Sequence, residues 1–498
     1  MKTLRNAVKA VALGLLFALP FAAAQALVFW HLDGSLFQSI LVFICWFMAV
    51  SPLPGLRVLA SFPGYPRSYG LGLPQRPTVK KKSRHFTMAV GVFCMLGTTA
   101  LFVGTIAVAN LWAAAIAALT TMLFGFRVLG WLRAIPRLQS DLGNSISQLK
   151  PESIIYTGRS DGGPYQILQW LPTIQKSTKN VLIVTRHASA AAYLAKALPV
   201  GTPIISCPKN ADLDHVMHSG ARIVFYVNSV SSNSTVVNYR SLHHVYLGHG
   251  DSDKEISAHP VHRMYDSVFV SGQAALDRYV AQNIPLDKGQ AAIVGRPQLA
   301  DIVPTTGHGP ITTIMYAPTW SGYNKASSLS SLDRALPFVQ DCLNRGMRVI
   351  FRPHPFSLTR APDQGLVTEI DRLLETAGAK HMQSSEASNE SLHVLFNQSD
   401  ALLTDISSMI VEFLPTQKPV TVLVDANDID RYHDEYPSTR ATYLATSPDS
   451  LVWHQMLDTD PMAARRTSEA TRYVADISGE RFAGAVDDIL CRTPPVDG

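Results

Sequence analysis

Ile311-Thr312-Thr313-Ile314-Met315-Tyr316-Ala317-Pro318-Thr319-Trp320 is a short β-branched and apolar run that stops at a proline. It reads as a strand over 311–317. An amphipathic stretch follows at 331–344, then a second apolar run at 347–352. The alternation continues with a helix over 366–377, a strand over 401–404, a helix over 408–417 and a strand over 419–424. Upstream, strand patterns lie at 152–156, 181–185, 202–206, 222–227, 243–247, 266–270 and 291–294, with helical stretches such as 188–197 and 274–282 between them. Strands alternating with helices imply parallel sheets covered on both faces. The class is α/β, with two doubly wound domains at 150–305 and 310–490. Their boundary falls near 304–310, between Pro304 and Pro310.

The first 140 residues differ in kind. Asp33 is the only acidic residue before Asp141, and apolar stretches occupy 10–30, 36–52, 87–108 and 111–126. These read as about four transmembrane helices. A cleaved signal peptide is the rival for the first, because Lys2, Arg5 and Lys9 precede it. The loop over 52–86 carries Arg57, Arg67, Arg76, Lys80, Lys81, Lys82 and Arg84, and Arg127, Arg133 and Arg137 follow the fourth stretch. The short loops near Asp33 and Asn110 are not basic. Positive charge concentrates on the cytoplasmic side of membranes, so both termini and the two α/β domains are expected in the cytoplasm. The Lys80–Arg84 cluster either binds anionic head groups or only sets topology. The net charge of +5 belongs largely to this region, which argues against a nucleic-acid partner. Cys45, Cys94, Cys207, Cys342 and Cys491 are dispersed, without a CxxC pair, as suits a reducing compartment.

In doubly wound sheets, ligands bind beyond the carboxyl ends of strands. Four motifs stand there. Gly248-His249-Gly250-Asp251-Ser252-Asp253-Lys254 puts a histidine between glycines, allowing close backbone approach and proton transfer near neutral pH. Tyr316-Ala317-Pro318-Thr319-Trp320 is a strand end. In Phe351-Arg352-Pro353-His354-Pro355, alternate residues of an extended backbone place a guanidinium and an imidazole on one side, a pairing suited to phosphate. Thr404-Asp405-Ile406-Ser407-Ser408-Met409-Ile410-Val411-Glu412 is a strand, a polar turn and a helix start, with Ser407 or Ser408 as the N-cap. Taken singly, each also reads as an ordinary loop, turn or cap. The sequence has no GxGxxG and no P-loop lysine motif. His215/His218 and His259/His262 have i, i+3 spacing, but without an HExxH pattern they read as solvated surface positions.

In this order the motifs resemble the CDP-glycerol glycerophosphotransferase family of teichoic-acid primases and polymerases. That family shows His-Gly-Thr-Pro-Leu-Lys, Gly-Tyr-Pro-Arg, Tyr-Ala-Pro-Thr-Trp, Arg-x-His and Thr-Asp-Tyr-Ser-Ser with an acid four residues on. Here the counterparts are His249-Gly250 with Lys254, Gly295-Arg296-Pro297-Gln298, the 316–320 run, Arg352-Pro353-His354, and the 404–408 run with Glu412. Asp251-Ser252-Asp253, Gln298 and Ile406 depart from the pattern. The resemblance implies two Rossmann-like domains of glycosyltransferase-B type, here preceded by a membrane segment. It implies transfer of a polyol phosphate, glycerol phosphate first, from a CDP-activated donor to a lipid-linked or polymeric hydroxyl, with release of CMP. The implied catalytic residues are His249 and His354. The implied donor contacts are Gly250, Asp251, Ser252, Asp253, Arg296, Pro318, Thr319, Arg352, Pro353, Asp405, Ser407, Ser408 and Glu412.

In this scheme His249 removes the acceptor proton and no metal or other cofactor is needed. Asp251 or Asp253 would raise the pKa of His249. The fold equally admits a sugar-nucleotide glycosyltransferase, and a membrane segment admits a non-catalytic component of polymer export.

Overall fold

The computed structural model describes residues 2–33, 35–60, 66–73, 107–160, 163–305, 309–322, 328–425 and 429–493. It divides into two compact bodies, Met1–Gln148 with Ser206–Asp212 and Leu149–Ile205 with Leu213–Gly498.

The first body holds helices Lys2–Asp33, Leu36–Val50, Leu53–Ala60 and Ala107–Leu149, and a short strand β1 (Arg67–Tyr69). Stretches Gly14–Leu32, Leu36–Leu56 and Asn110–Gly130 are long and apolar enough to cross a membrane. Their packed faces bury Ala22, Phe29, Val42, Trp46, Ala114 and Ala117. Their outer faces leave Leu16 71%, Phe37 72% and Trp112 65% exposed, a surface that suits lipid rather than water. Asn110, expected in a loop, lies inside the last long helix. It accepts from Trp46 Nε1 (3.1 Å) and donates to Gln25 Oε1 (2.8 Å), so these polar groups are satisfied among apolar helices. The expected span at 87–108 falls, up to residue 106, outside the described residues.

The second body contains two parallel sheets. The first includes β2 (Ser153–Thr157), β3 (Leu182–Thr185), β4 (Ile204–Ser206), β5 (Ile223–Tyr226), β6 (His243–Tyr246), β7 (Ser267–Val270) and β8 (Ala291–Ile293), in the order β4-β3-β2-β5-β6-β7-β8. The second has β9 (Thr313–Ala317), β10 (Arg348–Phe351), β11 (Ala401–Thr404), β12 (Val420–Leu423) and β13 (Tyr443–Ala445), in the order β10-β9-β11-β12-β13. Every residue of β2, β3, β5, β9, β11 and β12 is buried, which requires cover on both faces. The period of two sorts the second sheet into two cores. Met315, Ala317, Leu402 and Val422 enter one, while Ile314, Tyr316, Leu403 and Leu423 enter the other.

Each sheet begins near its middle. In the first, the chain moves outward from β2 through β3 and β4 and returns on the other side of β2 as β5. In the second, β10 lies on one side of β9 and β11 on the other. The strand order therefore reverses between β2 and β5 and between β9 and β11. A crevice opens at the carboxyl ends at each such point.

One boundary differs from the sequence reading. Helix Glu480–Arg492 packs on the first sheet, with Phe482 stacked 5.6 Å from Trp170 and edge-on 5.7 Å from Phe269. The sequence groups 480–490 with the second sheet. The helix carries an apolar stripe, and nothing in an amphipathic helix tells which sheet it covers.

Candidate active site

The four motifs sit at carboxyl ends of strands. At the β9/β11 crevice, Asp405 Oδ2 accepts from the Thr319 N–H (2.8 Å) and the Ser331 N–H (3.1 Å), tying the two strand ends together. Asp405 is fully buried, and burial pushes its carboxyl up to about 6. Its Oδ1 has no hydrogen-bond partner among the described residues. Lys254 reaches over from the first sheet's loop and donates to Thr319 Oγ1 (3.2 Å). Burial lowers the pKa of Lys254, and Asp405 opposes that fall.

His249 and His354 follow strands of different sheets. His354 is pushed down to about 3 by burial, then by Lys254 and by His249. Its Nδ1 accepts from the Phe356 N–H (3.1 Å), so Nε2 carries the proton of the neutral ring. Trp320 stacks on it at 6.2 Å. His249 is pushed down to about 4 by burial, by Arg159 and by Arg296, against a Val227 backbone hydrogen bond that favours the proton. Its Nδ1 is buried without a hydrogen-bond partner among the described residues. The next residue must be small. A Cβ on Gly250 would stand 3.0 Å from Ser408 Cβ and Oγ. Ser407 caps helix Ser408–Phe413, its side chain accepting from the Met409 N–H (3.3 Å). That helix has only six residues, so its dipole is small; free N–H groups are what its start offers an anion.

Several expected donor contacts face protein instead. Asp251 pairs with Arg278 (2.6 Å) and accepts from Ser271 Oγ. Asp253 accepts from the Tyr473 hydroxyl (2.8 Å) and the Ser438 N–H (2.6 Å). Ser252 Oγ bonds Ser257 Oγ at 2.9 Å. The expectation that these carboxylates raise the pKa of His249 fails: Arg278 holds Asp251, and the charges that act on His249 are cationic. Arg296 and Glu412 form a buried ion pair with each other, each 3% exposed in its side chain. Arg352 Nη1 donates to the carbonyls of Ala387 and Glu390 (2.8 Å to the latter), whereas His354 faces Trp320, so these two side chains do not share one direction. The strand ends at Phe351, and Pro353 follows Arg352. The backbone alternation assumed for them is therefore not available. His262 is fully buried, stacked 4.0 Å on Tyr246 with Nδ1 2.6 Å from the Tyr279 hydroxyl, and is no surface residue.

Arg159 was missed by the motif reading. It follows β2 directly, and its signal was a glycine-flanked basic residue between a strand and a helix. Among the described residues, no group of three or more His, Cys, Asp and Glu side chains could hold a metal ion. A cavity of about 820 Å³ lined by His243, Arg263, Asp266 and Lys288 opens at the amino ends of β6, β7 and β8, the opposite strand ends from the motifs.

Residues 247–456 match the family model described as CDP-Glycerol:Poly(glycerophosphate) glycerophosphotransferase. The match spans the histidine loop after β6 and all of the second sheet, and supports a glycerophosphotransferase-like transferase. No curated protein matches the chain. Among solved structures, it is similar to the wall teichoic acid polymerase TagF at 13% identity and TM-score 0.44, covering 73% of this chain and 96% of that one. It is also similar to a putative UDP-N-acetylglucosamine 2-epimerase from Listeria monocytogenes, at 13% identity and TM-score 0.46, covering 70% and 98%. A third is S. aureus MnaA with UDP, at 12% identity and TM-score 0.45, covering 70% and 99%.

The loop after β8 is fastened by backbone to the segment that leads into helix Glu480–Arg492. Arg296 N–H donates to the Asp476 carbonyl (2.7 Å), and Gly295 has φ +77°. A Cβ there would collide with that carbonyl. Gly295→Ala is expected to cost roughly 1–3 kcal/mol of stability. A thermal melt of the detergent-solubilised variant identical to wild type would contradict this.

Proposed function

We propose that this chain transfers a polyol phosphate, glycerol phosphate first, from a CDP-activated donor to a hydroxyl of a teichoic-acid-type polymer or lipid-linked acceptor. The observation that carries the reading is Lys254 of the His249 loop donating to Thr319 Oγ1, beside the buried Asp405, which brings the histidine loop of the first sheet to the strand ends of the second. The reading takes the two sheets as Rossmann-like domains of glycosyltransferase-B type, with 150–305 serving the acceptor and 310–490 the donor. The membrane helices hold the enzyme as a multi-pass protein with its catalytic part in the cytoplasm, where activated nucleotides are made.

His249, neutral at working pH, takes the acceptor hydroxyl proton on Nδ1. The freed oxygen bonds to the phosphorus that carries the polyol, and the bond to the bridging oxygen breaks as CMP leaves. His354 donates from Nε2 to the leaving phosphate. Thr319 and the N–H groups at Ser407 and Ser408 hold the diphosphate, stabilising charge where it develops, while Arg352 stays on the carbonyls of Ala387 and Glu390. Gly250, Pro318 and Pro353 shape its bed. Asp251, Ser252, Asp253, Arg296 and Glu412 position the loops rather than touch the donor.

A donor panel decides the class. Purified full-length protein should release CMP from CDP-glycerol or CDP-ribitol in the presence of acceptor. Nucleotide release from UDP-sugars alone would instead assign a glycosyltransferase, and no release from any donor would favour a non-catalytic role.

A further inference from the structure

Asp363 belongs to none of the four motifs, yet its side chain is buried against the His354 loop, with the residue only 2% exposed. It opens helix Asp363–Ala377, where an aspartate ordinarily serves its own helix by accepting from the first N–H groups. This one does not. Oδ2 accepts from the Ser321 N–H (3.0 Å) and the Ser357 hydroxyl (3.0 Å), and Oδ1 from the Ser321 hydroxyl. All of these donors come from the loops after β9 and β10, and both serines flank His354. The Ser357 N–H donates to the His354 carbonyl (2.8 Å), closing a turn. Inside that turn the Phe356 N–H donates to His354 Nδ1 (3.1 Å), and the Phe356 ring stands edge-on 5.3 Å from the imidazole. Ser321 follows Trp320, whose ring stacks on the other side of the loop's histidine pair at 6.2 Å. One buried carboxylate therefore secures both the turn that sets the tautomer of His354 and the loop that supplies its stacking ring.

We infer that Asp363 is a positioning residue for the transfer, holding the His354 ring as the Nε2–H tautomer in the orientation from which that proton reaches the leaving phosphate. The inference rests on the transfer reading above. Asp363 touches neither substrate nor reacting atoms; it acts through Ser321 and Ser357. A buried carboxylate needs its donors to offset the loss of water, so the two loops and the acid hold one another. Without the carboxylate the turn loosens, the Phe356 N–H leaves Nδ1, and the neutral ring populates both tautomers, of which only one carries hydrogen on Nε2. Misplacing a reacting group by about 1 Å costs on the order of 100-fold in rate. Asparagine at 363 keeps the volume but loses the charge and replaces one acceptor oxygen by an NH2 group.

The test is a double-mutant cycle on full-length protein, reading CMP release from CDP-glycerol with glycerophosphoglycerol as the acceptor probe. Asp363→Asn should lower kcat about 10- to 100-fold, with the KM for CDP-glycerol within a few-fold because the imidazole is still present. In the His354→Ala background the same replacement should change kcat by less than about threefold, since the ring it positions is gone. Equal losses in the two backgrounds, or no loss in wild type, overturn the inference. Ser357→Ala removes one donor and leaves the carboxylate in place. It should show the same dependence on His354 with a loss under about tenfold, and it carries the cycle if Asp363→Asn fails to fold. The tautomer is read separately by nitrogen NMR of histidine-labelled protein, on the resonances that His354→Ala removes. They should report hydrogen on Nε2 in wild type and a mixture of tautomers in Asp363→Asn. That tautomer change in a protein that releases no CMP would sink the transfer reading alone; CMP release with an unchanged tautomer and no dependence on His354 would sink this inference alone.

Discussion

Alanine at His249 should cut transfer on the order of 100- to 10,000-fold, the usual loss when a general base is removed. Affinity for CDP should stay within a few-fold, because the ring sits on the first sheet's loop while the leaving nucleotide is assigned to the second. His354→Ala should damage both, since its Nε2 is the donor toward the leaving phosphate. The contrast separates chemistry from collapse: an unfolded variant loses both properties whichever histidine is changed. A reversed pattern would exchange the two roles. The pH profile carries the sign. Burial, Arg159 and Arg296 push His249 down to about 4, so in the free enzyme it is already neutral above ~pH 5. kcat/KM should therefore be flat across neutral pH and fall only as the pH drops toward about 4, where the base gains its proton. A limb centred near ~6.5, the ordinary histidine value, would mean the ring is solvated and not held as described.

The sequence made the strands legible because parallel strands buried on both faces are continuous apolar runs. β2 to β12 lie where β-branched runs predict. β13 (Tyr443–Ala445) escaped because three residues beyond a turn carry too little pattern. The motif order located His249, His354, Thr319 and Asp405 at strand ends, since the carboxyl-end rule needs only strand direction. Partners were not legible. Nothing in Gly-His-Gly-Asp-Ser-Asp tells that Arg278, Ser271, Tyr473 and Ser438 claim the two aspartates, for those contacts join residues as far as 220 positions apart. His262 was misread for the same reason: i, i+3 spacing cannot reveal Tyr246 stacking over the ring. Arg159 was passed over because it precedes the family's motifs, although its strand–Gly–Arg setting was visible and strand order was the missing piece.

Removing one partner of the Arg296–Glu412 pair should be the most damaging change for stability. Both side chains are 3% exposed, and the pair joins the Gly295 loop to helix Ser408–Phe413. Glu412→Ala leaves a guanidinium buried among Trp170, 5.7 Å away, and the His249 carbonyl, 3.4 Å away. Breaking such a pair from one side typically costs about 3–5 kcal/mol, a large share of a domain's stability. The melting temperature of the solubilised protein should drop and its activity with it, since Arg296 also steadies the backbone of the base. The double replacement Arg296→Met with Glu412→Met removes both charges and fills similar volume, so it should recover most of the lost stability. Activity is the discriminating readout. If the pair only positions the loops, the double variant should bind CDP within a few-fold of wild type. If either residue contacts the donor, the refolded double variant will still lose CDP affinity by more than about tenfold, the scale of a lost charged hydrogen bond, and the positioning assignment is then wrong.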